Sequence, residues 1–269
     1  MNNIIEVIKE QFNSFGIIRR VSKYEDKATY QSHYLGLIWQ FLNPLIQIAI
    51  YYLIFGLGLN QGRTIHGVPY IVWMLIGIIP WFFISKSILG GSDSVYKKVN
   101  LVSKMKFPIS ILPSINMMGN IVSYWWMMLI LLLVMFFIGL WPTIYWVQYI
   151  YYFVCMIAFL FAIGILNSTI TVLIRDYHIM LQSIMRLLFY ISGAIWNIEN
   201  QNLPVWLVKL IQLNPIYYVI SGFRDSFLSQ EWFWQKPTLT LIFWGSVLII
   251  LLVGTHVHMK FRSRFVDFI

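Results

Sequence analysis

Few residues of this 269-residue chain can do acid–base or metal chemistry, and their spacing limits what that chemistry could be. Glu25, Asp26 and His33 form the only cluster of carboxylates and imidazole at one end of an apolar segment, the grouping that a membrane-surface transferase would need for proton transfer. His256 and His258 stand close together but have no cysteine or carboxylate at ligand spacing, which argues against a metal site. The single cysteine, Cys155, excludes an internal disulfide and a cysteine-based zinc cluster. No Gly-x-x-x-x-Gly-Lys-Ser/Thr phosphate loop occurs, so the chain is expected to hold no nucleotide and to hydrolyse no ATP itself. All ten Asp and Glu residues fall outside the centres of the long apolar segments. Ion- and proton-driven carriers commonly place such groups at mid-membrane depth. A chain of this kind that moves something must draw its energy from elsewhere, most simply from a partner docking on its cytoplasmic face.

The elements that position these residues are membrane helices. Apolar residues make up 59% of the chain and charged residues 11%, against about 45–50% and about 25% in soluble domains. This excludes an ordinary soluble enzyme, a disordered regulator and a secreted disulfide scaffold. A span takes about 20 apolar residues. The stretch 107–174 contains no Asp, Glu, Lys, Arg or His and is too long for one helix. Gly139-Leu140-Trp141-Pro142 divides it into spans over 110–139 and 145–173, because proline removes a donor and ends regular structure. With 36–57 and 68–89 before it, and 179–198 and 238–257 after it, the reading is an all-α membrane protein of six transmembrane helices. At the N-terminus, Ile4, Ile5, Val7, Ile8, Phe12, Phe15 and Ile18 fall on one half of a helix, with Asn2, Asn3, Glu6, Lys9, Glu10 and Asn13 on the other. Residues 1–28 are therefore expected to be an amphipathic interface helix, and 29–269 the transmembrane domain.

Six spans put both termini on one side. That side carries Lys9, Arg19, Arg20, Lys23, Lys27, Lys97, Lys98, Lys104, Lys106, Arg175, Lys260, Arg262 and Arg264, against Arg63, Lys209, Arg224 and Lys236 opposite. By the positive-inside rule both termini are cytoplasmic. The net charge of +9 is thus an orientation signal rather than a footprint for nucleic acid, and it is compatible with binding anionic membrane lipids. Lys86 and Arg186, inside helix ends, are expected to snorkel to the cytoplasmic side, with a polar cavity as the alternative for Arg186. His256 and His258 are expected to reach interfacial water.

Three connectors could carry function. In 90–106, Ser92 or Asp93 can cap a short helix whose Val95, Val99, Val102 and Met105 share a face beside Lys97 and Lys98. Such a helix offers an apolar knob and a basic rim to a partner, or packs on its own bundle. Arg175-Asp176 meets the cytoplasm after the fourth span, either as a structural pair, with Asp176 capping the next helix, or as a transmitter of partner motion. The 199–236 connector is too long for a turn and too polar to span. Leu203–Leu213 and Pro215–Leu228 are read as two short helices re-entering the outer leaflet, broken at Asn214-Pro215.

These positions carry a family resemblance. Tyr34-Leu35-Gly36-Leu37-Ile38-Trp39 running to Asn43-Pro44, Asn100-Leu101-Val102-Ser103-Lys104 with Phe107-Pro108, Arg175-Asp176, and Asn214-Pro215-Ile216-Tyr217-Tyr218 through Gly222-Phe223-Arg224 resemble the ABC-2 type permeases that export polysaccharides with a separate ATPase. The runs from Tyr24-Glu25 to Asn43-Pro44 and Leu101–Met105 look more narrowly like the wall teichoic acid translocation permeases of Gram-positive bacteria. Where many relatives carry Thr-Pro or Ser-Pro in the fifth span, this chain has Ser192-Gly193-Ala194, which implies a gentler bend or one at Gly193.

The resemblance implies a homodimer paired with two cytoplasmic ATP-binding subunits, which hold the ATP and Mg²⁺. It implies a cargo polymer on an undecaprenyl diphosphate lipid. It implies ATPase coupling through Ser92, Asp93, Val95, Tyr96, Lys97, Lys98, Val99 and Leu101, together with Arg175 and Asp176. The first and fifth spans would line the path, and aromatic faces suit a glycan because sugar C–H faces pack on them without fixed hydrogen bonds. The candidates are Trp39, Phe41, Tyr51, Tyr52 and Phe55, with Phe189, Tyr190 and Trp196, although Trp and Tyr also serve as interfacial anchors. Arg19, Arg20, Lys23 and Lys27 are candidates for the diphosphate, with orientation as their alternative role. The cargo reading has an O-antigen or capsule exporter as its variant. A membrane transferase on lipid-linked polymers and a non-transporting assembly scaffold are the readings from other classes.

Overall fold

A computed structural model describes residues 2–31, 34–59, 64–65, 67–102, 108–174, 176–195, 198 and 203–268. The chain enters through two short helices, α1 (Asn2–Asn13) and α2 (Phe15–Gln31), joined at Ser14. Helix α3 (Trp39–Tyr51) continues into a wider π-helical segment, Tyr52–Leu59. Two-residue strands, Thr64–Ile65 and Val68–Pro69, pair antiparallel with Ile65 opposite Val68. They feed α4 (Tyr70–Val102), α5 (Leu112–Ile138) and α6 (Gln148–Leu173). Helices α7 (Tyr177–Ile191), α8 (Val205–Gln212), α9 (Pro215–Phe227) and α10 (Pro237–Phe261) follow, and a 3₁₀ segment, Arg262–Phe268, closes the chain.

Five helical segments are long and apolar enough to cross a membrane: Trp39–Gly58, Tyr70–Lys98, Ile109–Ile138, Ile144–Leu173 and Pro237–Phe265. The expected break between the third and fourth falls where α5 ends, at Gly139, and Thr143 starts the next helix from an extended backbone. Most of α4 is buried, with Val72, Met74, Ile78, Ile79 and Ile84 fully enclosed. It is the central post, packed by α5, α6, α7 and α9. The outer helices keep apolar faces exposed, including Ile46, Ile50 and Leu53 on and after α3 and Leu241, Leu248 and Leu252 on α10. Such faces suit lipid or protein rather than water.

Two expectations are corrected. The 90–106 connector does not form a separate short helix: α4 runs unbroken through Gly90-Gly91 to Val102, 33 residues in all. The glycine pair packs instead of turning, since a Cβ on Gly91 would meet Pro113 of α5 at 3.9 Å and Gly164 of α6 at 4.0 Å. The fifth predicted span is a helix of 15 residues, about 22 Å at 1.5 Å per residue. It stops because Gly193, at φ +68°, turns the chain in a conformation that glycine alone adopts without strain. At the N-terminus α2 continues to Gln31 and packs on α5.

Between α7 and α10 both short helices are present, broken at Asn214-Pro215 as expected. The Asn214 side chain accepts from the Ile216 amide at 3.0 Å, capping α9, and Pro215 takes the first turn, where its missing N–H costs nothing. Nearly all of the length of α9 is buried, including Arg224 and Asp225. α4, α6 and α10 pack against it.

Candidate functional site

The aromatic residues expected along a path divide in two. Tyr51 lies 5.3 Å from Phe189 of α7 and 6.2 Å from Phe55, and Phe189 lies 5.3 Å from Tyr190. These four come together from α3, its π-helical continuation and α7. Phe41 instead meets Trp126 of α5 edge-on at 6.3 Å. Trp39 and Tyr52 are half-buried, and Trp196 lies outside the described residues. Two members of the cluster were missed: Phe82 lies 6.1 Å from Tyr51 and Trp81 lies 5.4 Å from Phe189. The signal was the run Pro80-Trp81-Phe82-Phe83, which hydropathy alone reads as core. Phe189 is buried under these rings, whereas Tyr190, next to it, is exposed.

Most of the residues expected to couple to an ATPase sit on the C-terminal extension of α4. Ser92 is no cap: its hydroxyl donates to the Leu89 carbonyl at 2.7 Å and lies 2.8 Å from Nδ1 of His178, at the start of α7. Val95 is fully buried with Ile18, Ile111, Ile115, Val172 and Phe265, so it is an internal knob and offers nothing to a partner. Tyr96 packs half-buried at the edge of that cluster. Lys97 is exposed and pairs with Asp93 one turn back at 2.5 Å. Lys98 pairs with Glu25 of α2. The side chains of Val99 and Leu101, and the whole of Arg175, lie outside the described residues. Asp176 occupies the N-cap position of α7, but its side chain makes no capping bond.

The extension, the N-terminal helices and the C-terminal segment form one ionic frame. The Arg262 guanidinium donates to Glu6 and Glu10 at 2.9 Å each. The Ser110 hydroxyl donates to Glu10, and Gln11 donates to the Ser110 carbonyl at 3.0 Å. Glu25 pairs with Lys98; the side chain of Asp26 and the whole of His33, the other members of the expected acid–base cluster, lie outside the described residues. His258 does not reach water: it is buried, with Nδ1 3.0 Å from the Thr169 hydroxyl. His256 is exposed. Among the described residues, no three His, Cys, Asp or Glu side chains converge on a site for a metal ion. Arg186 is exposed on α7 and donates to Ser183 at 3.2 Å.

Of the four cations ahead of α3, Arg19, Lys23 and Lys27 share one face of α2 and line a cavity of about 400 Å³ against α3 and α5. Arg20 points elsewhere and donates to the Gly16 carbonyl at 3.3 Å.

At the opposite end, α9 carries a polar knot that sequence reasoning had counted only as loop charge. Arg224 lies over the Trp73 ring, 3.4 Å from its centroid, and donates to the Ala194 carbonyl at 2.9 Å. Tyr70 donates to the adjacent Ile195 carbonyl. Asp225, also buried, accepts from Lys236 at 2.7 Å, and Glu231 adds a second carboxylate at 3.2 Å. Burial alone would lower the Lys236 pKa, but the two carboxylates outweigh it and hold the lysine above its usual value. A Cβ on Gly77 would collide with both Arg224 and the Ala194 carbonyl, so glycine is required where α4 passes them. The chain turn after α7, α4, α9 and the start of α10 are thereby tied together.

The structure is thus a multi-pass helical membrane protein with an aromatic seam, an ionic frame at one end and a buried Arg-Asp pair on α9 at the other. The chain belongs to the ABC-2 type transporter family, which it matches over residues 18–228. Three curated relatives are similar along nearly their whole length. The O-antigen export system permease protein RfbA of Myxococcus xanthus is 23% identical over 249 residues, 93% of either chain. Two proteins of that name from Klebsiella pneumoniae are 25% identical over 264 residues (97% of this chain, 98% of theirs) and 23% identical over 254 residues (94% and 95%).

Proposed function

We propose that this chain is the membrane-spanning permease subunit of an ATP-driven exporter of lipid-linked polysaccharide, working as a homodimer with two cytoplasmic ATP-binding subunits. The observation that carries this reading is the near end-to-end similarity to three O-antigen export permeases, at 93–98% coverage of both partners. It favours an O-antigen-type glycan over the wall teichoic acid to which the shorter motifs pointed. The cargo is carried on undecaprenyl diphosphate and enters from the cytoplasmic side, where both termini lie by the excess of Lys and Arg. The short α7 serves as the sixth crossing. The exposed faces of α3 and α7 meet their counterparts in a second copy, with Tyr51, Phe55 and Tyr190 presenting ring faces to the sugar. The ATP-binding subunits dock on the α4 extension and α2, where Lys97 is exposed.

The test is export by the reconstituted complex of permease and ATP-binding subunit in vesicles. Three lipid-linked cargoes are offered: an O-antigen glycan, a capsular glycan and a wall teichoic acid. ATP-dependent protection of the O-antigen glycan is expected. Export of teichoic acid alone would restore the narrower cargo, and glycan transfer without the ATP-binding subunit would replace the whole reading with a transferase.

A further inference from the structure

Where α6 and α10 begin, at the end of the bundle opposite the ionic frame, three aromatic rings form a pile. Trp232 lies between Tyr145, with centroids 4.9 Å apart and planes at 28°, and Trp234, at 4.4 Å and 11°. Trp234 gives one face to Trp232 and still keeps 56% of its surface exposed, so its other face and its edge look outward. The pile is held stiffly. Gln148, buried at the first position of α6, donates to the Glu231 carbonyl at 2.9 Å and accepts from the Phe233 amide at 3.2 Å. Phe233, between the two tryptophans in sequence, stacks on Tyr151 at 4.1 Å. The Gln235 side chain accepts from the Trp232 amide at 2.7 Å. Ser229 has φ +56°, which residues with a Cβ rarely adopt, and its hydroxyl meets that of Thr143 at 2.6 Å. Strain of this kind persists only where the surroundings fix it, and it gathers at binding sites.

Anchoring in the membrane interface does not account for this pile. An anchor gains by setting an amphipathic ring among the headgroups. Two indoles stacked face to face hide from the membrane the very surfaces that anchoring would use. A sugar ring is the better match, since it has an apolar C–H face and a polar rim. The exposed indole of Trp234 meets the first, and the exposed side chains of Thr143, Glu231 and Gln235 border it for the second. Stacked tryptophan and tyrosine also give a broad, rigid contact with little rotamer freedom left to lose. We propose that Trp234, backed by Trp232 and Tyr145, is a landing surface for the pyranose rings of exported glycan, with Thr143, Glu231 and Gln235 as its hydrogen-bonding rim. Its elements are not those of the α3–α7 aromatic cluster, so it serves polymer that has already crossed. The proposal rests on the exporter reading above and adds a glycan site outside the path.

The test is saturation-transfer NMR on the purified full-length chain in nanodiscs of phosphatidylcholine. Soluble cellohexaose is the ring-bearing probe, and poly(glycerol phosphate) is a polymer without sugar rings. Saturation is expected to reach the ring C–H protons of cellohexaose and not those of poly(glycerol phosphate). Trp234→Ala should weaken cellohexaose binding about fivefold, the loss of one ring face, and Trp234→Phe should retain most of it. Trp206→Ala, which removes an exposed tryptophan of α8, should change nothing. No transfer above that of empty nanodiscs would overturn the proposal. So would a Trp234→Ala chain that binds like the wild type, or a Trp206→Ala chain that loses as much. A Trp234→Ala chain that keeps the sugar and melts lower only in nanodiscs would make the pile a membrane anchor. Binding is read here without ATP or a partner subunit. Export by a chain that does not hold the sugar therefore sinks only the landing surface, and sugar binding by a chain that exports nothing sinks only the exporter reading.

Discussion

The guanidinium of Arg224 sits 3.4 Å from the centre of the Trp73 ring and donates a hydrogen bond past it, to the carbonyl of Ala194. The pair joins α9 to α4 and, through Ala194, to the turn that ends α7. A desolvated cation–π contact is worth about 2 kcal/mol. Arg224→Lys keeps the charge but loses the planar face and the reach, so it should lower unfolding stability by about 1–2 kcal/mol. Gly77→Ala places a methyl group where the guanidinium and the Ala194 carbonyl now lie, and should match or exceed that loss while leaving Arg224 itself in place. Thermal unfolding of the purified protein in detergent checks both. If Arg224→Lys and Gly77→Ala each unfold with the wild type, the contact is not a structural tie.

The Lys98–Glu25 pair asks for a different measurement. Both side chains are partly exposed, and such pairs contribute only about 0–1 kcal/mol. Glu25→Lys should therefore leave the protein level and melting temperature nearly unchanged. If the pair transmits partner motion from the α4 extension to α2, the same variant should reduce transport-coupled ATP hydrolysis. The swap Glu25→Lys with Lys98→Glu should restore it. A swap that fails to rescue would assign the effect to one residue rather than to the link.

What could be read from the sequence was set by how local the cause is. The charge-free run 107–174 and its Gly-Leu-Trp-Pro break gave the boundaries of α5 and α6 within a few residues, because apolar length and proline act where they stand. The unbroken course of α4 was hidden, because Gly90-Gly91 reads as a turn until Pro113 and Gly164 are known to press against it. Val95 was misplaced for the same reason: its helical face was found, but the residues covering it, Ile18 and Phe265, come from opposite ends of the chain. Arg224 and Asp225 looked like exposed loop charges. Their partners, Trp73, Ala194 and Lys236, include residues 151 and 30 positions away, and no local pattern announces them.

Adjacent residues Phe189 and Tyr190 separate packing from path. Phe189 is buried against Trp81 and Tyr51, so Phe189→Ala should cost about 3–5 kcal/mol and lower the amount of folded protein. Tyr190 is exposed, and its removal should change stability by no more than about 0.5 kcal/mol. If ring faces on α7 guide the glycan, Tyr190→Ala should slow export at normal protein level. Export in proportion to protein level for both variants would leave the cluster as core alone.

The Lys236 pairing with Asp225 and Glu231 makes a prediction against pH. Its pKa is raised in the folded chain above the ordinary 10.5. A raised lysine stabilises fully below its unfolded value and loses that contribution only as pH climbs through the folded one. The wild-type protein should therefore show no stability change from this site between neutral and mildly alkaline pH. Lys236→Met keeps the length of the side chain and takes the ammonium away from the buried Asp225, at a cost of about 2 kcal/mol, reduced from the fully buried case because Lys236 is partly exposed. The gap between variant and wild type should stay constant through the neutral range and narrow above pH 10.5 as the wild-type lysine loses its proton. Melting curves of the two proteins across that range measure it, and a gap that instead widens with alkalinity would show that the lysine is not held charged by its two carboxylates.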